Sequence, residues 1–172
     1  MKTRTTVAIT VGAVCVLAAA GAVIVIATGA VNVAATSPHS KPVEWMLGAA
    51  ADRSVEVRAG RLKAPAAALS AKGRSGFQDY ERLCVLCHGA PGVEASITGK
   101  GLYPRPPELS TVTSDESMEE VYWIISNGMK DTGMPAFKAG RSEEELWLVA
   151  SFVKRMNGMS AKDYQSLGPG GQ

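Results

Sequence analysis

The sequence predicts an all-α chain: one long apolar helix at the N-terminus, then a small domain of three main helices joined by long loops. Three observations carry this. Val7 to Val31 is an uncharged apolar run of 25 residues. Two later segments place Val121, Tyr122, Ile124, Ile125 and then Leu146, Val149, Phe152, Val153 on helical stripes. No segment alternates convincingly at the two-residue period of a strand.

The apolar run is read first. A bilayer-spanning helix needs about 20 apolar residues. The apolar part of a secretory signal is only about 7–15 residues. Residues 1–36 are therefore expected to be an uncleaved signal-anchor, the alternative being a signal peptide cut at a small-residue site near Ala35. Lys2 and Arg4 keep the short N-terminus on the cytoplasmic side, so everything after about Ser37 is expected outside the cytoplasm. Cys15 lies inside the run and is read as an inert thiol. Val14 precedes it, where a lipoprotein signal wants a small residue.

Residues 37–74 are read as a juxtamembrane helix and linker. Val43 to Gly60 can form the helix, with Trp45 either at the membrane interface or packed on the domain. Arg61 to Ser75 contains Ala, Gly, Lys and Pro65, which suits a tether or a loop wrapped on the domain. Residues 41–73 carry six Lys/Arg against three Asp/Glu. That excess suits an anionic lipid surface, an acidic partner or simply a solvated linker. Residues 74–172 are acidic, with ten Lys/Arg against thirteen Asp/Glu.

Residues 75–172 are expected to be one domain. Its first helix runs from Gly76 with Ser75 as N-cap. The second runs from Asp115 to Asn127, capped by Ser114 and stopped by Asn127-Gly128. Its acidic residues Asp115, Glu116, Glu119 and Glu120 read as a solvated helix face or a docking patch. The third runs from Glu143 to Asn157, opened by the capping box Ser142-x-x-Glu145 and ended by Gly158. The loop Gly89–Thr113 is long for so small a domain and needs something to pack on.

The chemistry centres on Cys84-Val85-Leu86-Cys87-His88. Two thiols three positions apart, followed at once by an imidazole, are what covalent haem c attachment requires. The thiols form thioethers to the haem, and the histidine reaches the iron. A structural zinc site wants four protein ligands, and no second Cys pair exists. A thioredoxin-like pair wants a βαβ setting that is not seen. The chain has three Cys and two His, so this motif attaches one haem. His39, beside the membrane exit, is a poor candidate for the sixth ligand. Among the methionines, Met118 and Met156 read as packing and Met129 follows a helix stop. Met134 sits in Gly133-Met134-Pro135, a loop that Gly bends and Pro stiffens, which suits a thioether held against iron.

Taken together, Gly76-x-x-x-Tyr80-x-x-x-Cys84-x-x-Cys87-His88, then Gly133-Met134-Pro135-Ala136-Phe137, then a C-terminal helix, resembles a small bacterial class I c-type cytochrome. The resemblance covers about residues 75–158. It implies an all-α class I cytochrome c fold whose first and last helices cross, with Gly76 and Tyr80 meeting Val149 and Phe152. It also implies a proline carbonyl on the ligand histidine's other ring nitrogen. Pro107 is the candidate, hard to separate from Pro106 in the run Tyr103-Pro-Arg-Pro-Pro107. Arg105, Tyr103 and Trp123 are candidates for the haem edge, for packing or for surface.

The function expected is a membrane-anchored monohaem electron carrier. It would take single electrons from a quinol-oxidising or dehydrogenase complex and pass them to a terminal oxidase or another redox protein. The alternative is a fixed haem subunit of a larger membrane oxidoreductase complex. A third class, an enzyme or gas sensor with an open haem site, is disfavoured by Met134. No Ser-His-Asp set, paired-carboxylate site or phosphate-binding glycine loop appears, so neither catalysis, nucleic acid nor a small-molecule substrate is expected.

Overall fold

The computed structural model describes residues 2–168. Met1 and residues 169–172, which the expected anchor and haem-domain ranges include, lie outside them. The chain divides into two units, one ending at Ser37 and one starting at Pro38. The first is α1 (Lys2–Thr28) and the turn after it. From Thr3 to Thr28 it is long and apolar enough to cross a membrane, on length and composition.

The second unit is helical. It contains α2 (Lys41–Ala59), α3 (Ala66–Ser70), α4 (Phe77–Leu83), α5 (Val85–His88), α6 (Ile97–Lys100), α7 (Leu109–Val112), α8 (Met118–Asn127), α9 (Glu143–Met156) and α10 (Ala161–Ser166), with a 3-10 turn at Phe137–Ala139. Among the described residues there is no strand, only an isolated bridge between Ala90 and Val93.

The core is the inner face of α9. Leu146, Val149, Phe152, Val153 and Met156 are fully buried there, at the spacing a helix needs to present one apolar stripe. α4 crosses α9 at Gly76, whose φ is +78°. A Cβ at this position would stand 2.2 Å from the Leu148 carbonyl oxygen and 3.0 Å from Phe152 Cβ. Only glycine allows both the left-handed turn and the approach. Gly76, not Ser75, therefore occupies the N-cap of α4, and no side chain caps that helix. The crossing is filled by aromatic edges: Phe77 to Phe152 at 5.6 Å, Tyr80 to Phe152 at 5.5 Å and Phe77 to Tyr164 at 5.4 Å. Tyr164 comes from α10, a helix the sequence reading did not expect. On the other flank, Tyr122 of α8 stacks on Trp147 of α9 at 3.8 Å.

α8 starts later than expected. Ser117 is its N-cap, not Ser114, and a full capping box joins Ser117 to Glu120. Two reciprocal bonds outcompete a serine with no glutamate three positions on. The cap and stop of α9 fall where the sequence puts them, with Ser142 and Glu145 closing the box.

Residues 61–75 wrap on the domain. Ala68 is buried, and its carbonyl accepts from Ser151 Oγ at 2.8 Å. Arg155 Nη1 donates to the Ala71 carbonyl at 3.0 Å and Nη2 to the Ser75 carbonyl at 2.7 Å. Lys154 Nζ donates to the carbonyls of Thr113, Ser114 and Glu116. α2 buries Val55 and Ala59 at its C-terminal end, while its first ten residues are exposed throughout, Trp45 at 75%.

Candidate functional site

A cleft of about 290 Å³ opens between the end of α4, α5, the 102–109 loop, α8 and the 129–137 loop. Leu83, Leu102, Leu109, Val121, Ile124 and Val153 make its lining largely apolar. Cys84, Cys87, His88, Pro107 and Met134 all lie in that lining. Residues far apart in sequence, placed by three separate segments, thus converge on one hollow.

The motif sits where the chain tightens. Cys84 ends α4 and starts α5, and its carbonyl accepts from the Cys87 and His88 amides at 3.0 and 2.9 Å. Gly99 makes room beside it; a Cβ there would come within 2.7 Å of the Cys87 carbonyl. Cys84 is buried and Cys87 half-buried. Burial pushes the Cys84 thiol up to about 12, with Asp79 and Cys87 adding to the shift. It is therefore a thiol and not a thiolate at neutral pH.

His88 Nδ1 stands 2.8 Å from the Pro107 carbonyl. A carbonyl only accepts, so Nδ1 carries the proton and donates, which leaves the Nε2 lone pair free for a metal. Burial lowers the His88 pKa, with the Pro107 bond working the other way. The imidazole is thereby kept neutral, the form that ligates. The carbonyl is that of Pro107 and not of Pro106.

Met134 is half-buried in a loop that bonds to itself. The Met129 amide donates to the Met134 carbonyl at 3.1 Å, Thr132 Oγ1 to the Met129 carbonyl at 2.8 Å, and the Met134 amide to Thr132 Oγ1 at 3.0 Å. Gly128, with φ +68°, lies so close that a Cβ would meet the Met134 carbonyl at 2.7 Å. Met129 also faces the cleft, so both sulfurs weighed from the sequence are present there. Met118 and Met156 pack in or against the core.

Other candidates scatter. Arg105 lines the cleft. Tyr103 turns away, its hydroxyl accepting from the His39 amide at 2.8 Å and its ring meeting that of His39 edge-on at 5.3 Å. His39 is exposed. Glu116 corrects the reading of a solvated acidic face. It precedes α8 instead of lying on it, and it lines the cleft with a buried Oε2. The signal missed was Ser117-x-x-Glu120, which moves the helix start past Glu116.

Residues 71–153 match the family described as cytochrome C oxidase, cbb3-type, subunit III. These residues form a c-type cytochrome domain. No curated protein and no solved structure matches the chain significantly. The all-helical architecture of the cytochrome domain, with its crossing of first and last helices, is that of class I. A c-type cytochrome binds haem c covalently and moves electrons through its iron. The cleft fits such a group: its walls are apolar, it offers two thiols to bond the periphery, and it offers a neutral imidazole and thioethers to the metal.

Proposed function

We propose that this chain is a membrane-anchored monohaem c-type cytochrome that carries single electrons between respiratory-type redox partners on the extracytoplasmic side. The convergence of Cys84, Cys87, His88 and Met134 on one apolar cleft carries the reading. Cys84 and Cys87 hold the haem by thioethers. His88 and Met134 are the axial pair, and the Pro107 carbonyl fixes the orientation and basicity of the imidazole. When bound, the haem supplies an iron that accepts and releases one electron. The protein's own part is to exclude water, hold the ligands and keep the potential high through His/Met ligation. α1 stays in the mature protein as a single span, with Lys2 and Arg4 on the cytoplasmic side. Its partners are a quinol-oxidising complex or dehydrogenase on one side and a terminal oxidase on the other.

A second reading is a fixed haem subunit of a larger membrane oxidoreductase. The family match favours it, because that family's description is an oxidase subunit. The exposed apolar residues Val43, Trp45, Met46 and Leu47 on α2 also suit a permanent neighbour.

Purification from membranes in mild detergent separates the two. A carrier elutes alone, stains for one covalent haem on a denaturing gel and keeps its N-terminal segment by mass spectrometry. A fixed subunit elutes with other polypeptides in constant ratio. A soluble product beginning near Thr36 would reject the anchor, and haem that extracts with acid-acetone would reject the thioethers.

A further inference from the structure

α2 has a face that its own domain does not use. It packs on α8 through Ala51, Val55 and Ala59, each one turn from the next, the first half-buried and the other two buried. Val43, Met46, Ala50 and Val57 make a second stripe, at i, i+3, i+7 and i+14. All four are exposed, Met46 at 56%. Residues 42–50 are exposed on every side, and Glu44 is the only charged residue among them. A helical stretch that is apolar nearly all round belongs in a core or in lipid. Here about 14 Å of such helix stands clear of its domain.

We propose that α2 is an interfacial helix. The stripe from Val43 to Val57 lies in the headgroup layer of the bilayer that α1 spans, and the haem domain rides on the opposite face. The proposal rests on the reading of α1 as a retained span.

The path of the chain favours lipid over other occupants. His39 is already held by the domain, its amide donating to the Tyr103 hydroxyl at 2.8 Å. The free connection after Thr28 is therefore residues 29–38, at most about 35 Å when fully extended. α2 starts two residues past that clasp, and no Lys, Arg, Asp or Glu lies between Arg4 and Lys41. The apolar half of α2 is thus delivered to the bilayer surface.

The charges are sorted to match. At about 100° per residue, Glu44, Asp52 and Glu56 all fall on the half of α2 turned away from the stripe, while Arg53 borders it. Lys41 pairs with Glu44 at 3.0 Å on that same far half, so neither charge has to enter the layer alone. Past the apolar stretch, Arg53, Arg58, Arg61 and Lys63 are exposed and outnumber Asp52 and Glu56. Such cations reach lipid phosphates while their stems lie along acyl chains. Trp45, 75% exposed, is the residue type that settles at headgroup level. An interfacial helix of this kind sinks its apolar face about 5–10 Å into the layer. It would set which side of the haem domain faces the membrane, which a flexible tether after α1 cannot do.

The test uses the haem-loaded full chain in nanodiscs of equal parts phosphatidylcholine and phosphatidylglycerol. Single fluorophores are placed on Met46→Cys and on Asp52→Cys, each in a Cys15→Ser background, and on the native Cys15 of the otherwise unchanged protein. Each emission is compared between discs with and without lipids that carry a nitroxide on the acyl chain, so quenching by the haem cancels. The Met46 label should lose most of its emission to a nitroxide placed high on the chain, and the Asp52 label should keep its own. If Met46→Cys fails to hold haem, Val57→Cys replaces it, with the same expectation. A Met46 label left unquenched beside a quenched Cys15 label overturns the proposal. Equal quenching at Met46 and Asp52 overturns it too, because the helix would then have no lipid side. Oxidation of Met46→Cys to a disulfide dimer without lipid quenching assigns the face to a second copy and overturns it as well. A Cys15 label that a nitroxide deep in the bilayer does not quench would instead defeat the reading of α1 as a span.

Discussion

The crossing of α4 on α9 makes Gly76→Ala a measurable probe. Two costs add. The left-handed φ of +78° costs a residue with a Cβ about 1–2 kcal/mol. The new methyl also overlaps backbone, at 2.2 Å from the Leu148 oxygen and 2.6 Å from its carbon. Backbone within a helix gives way poorly, so forced overpacking of about 1–3 kcal/mol applies. Roughly 3 kcal/mol in total, at about 4 °C per kcal/mol for a domain of this size, predicts a Tm lower by about 12 °C. Gly73→Ala is the control. Its φ is +55° with nothing within 4 Å of the added carbon, so it bears the strain alone and should lose about 4 °C. The assay is thermal unfolding of the haem-loaded protein by far-ultraviolet circular dichroism. Equal losses for the two variants would refute the reasoning, because they would show that α9 retreats from the methyl at no cost.

Met134→Ala should remove the weak red charge-transfer band of thioether-bound ferric haem, lower the potential and admit carbon monoxide, while Met129→Leu leaves all three unchanged; absorbance and potentiometry check this, and swapped outcomes would assign the ligand to Met129. Tyr80 OH donates to the Gly89 carbonyl at 2.7 Å, and burial pushes its pKa well above the ordinary 10.0. Tyr80→Phe should therefore cost about 1–3 kcal/mol in denaturant unfolding at neutral pH. A raised phenol stabilises the fold fully below pH 10.0 and loses that contribution as pH climbs toward its folded value. The gap between wild type and Tyr80→Phe should hence narrow above that pH, and a constant gap would count against it. Ser117→Ala should cost about 1 kcal/mol and Ser114→Ala nearly nothing in the same assay, because only Ser117 caps α8.

The helices with strong local signals were legible in the sequence. The Ser142 box and the stripe Leu146, Val149, Phe152, Val153 gave α9 nearly to the residue, because cap and periodicity agree there. α8 was misplaced by three residues, since Ser114 and Ser117 both look like caps and only the glutamate three positions on tells them apart. α10 was missed because it is short and holds itself in place by one buried ring, Tyr164, against α4 and α9. The cleft residues Cys84, Cys87, His88, Pro107 and Met134 carry chemical signatures or bracketing Gly and Pro. Leu102, Leu109 and Ile124 carry none, because an apolar wall is defined by what it surrounds. Glu116 was misread for the same reason: its burial is a product of where α8 begins.

Lys154 and Arg155, adjacent at the end of α9, hold the 113–116 and 71–75 segments by their carbonyl oxygens. Every residue offers the same carbonyl, so this grip reads chain path and not side-chain identity. The two straps should tolerate substitution freely at Ala71, Lys72, Ser114 and Asp115. A single deletion in either strap is a different matter, because it would slide that strap's carbonyls out from under its cation. The last turn of α9 therefore acts as a ruler, strict about the number of residues on each side and indifferent to their kind.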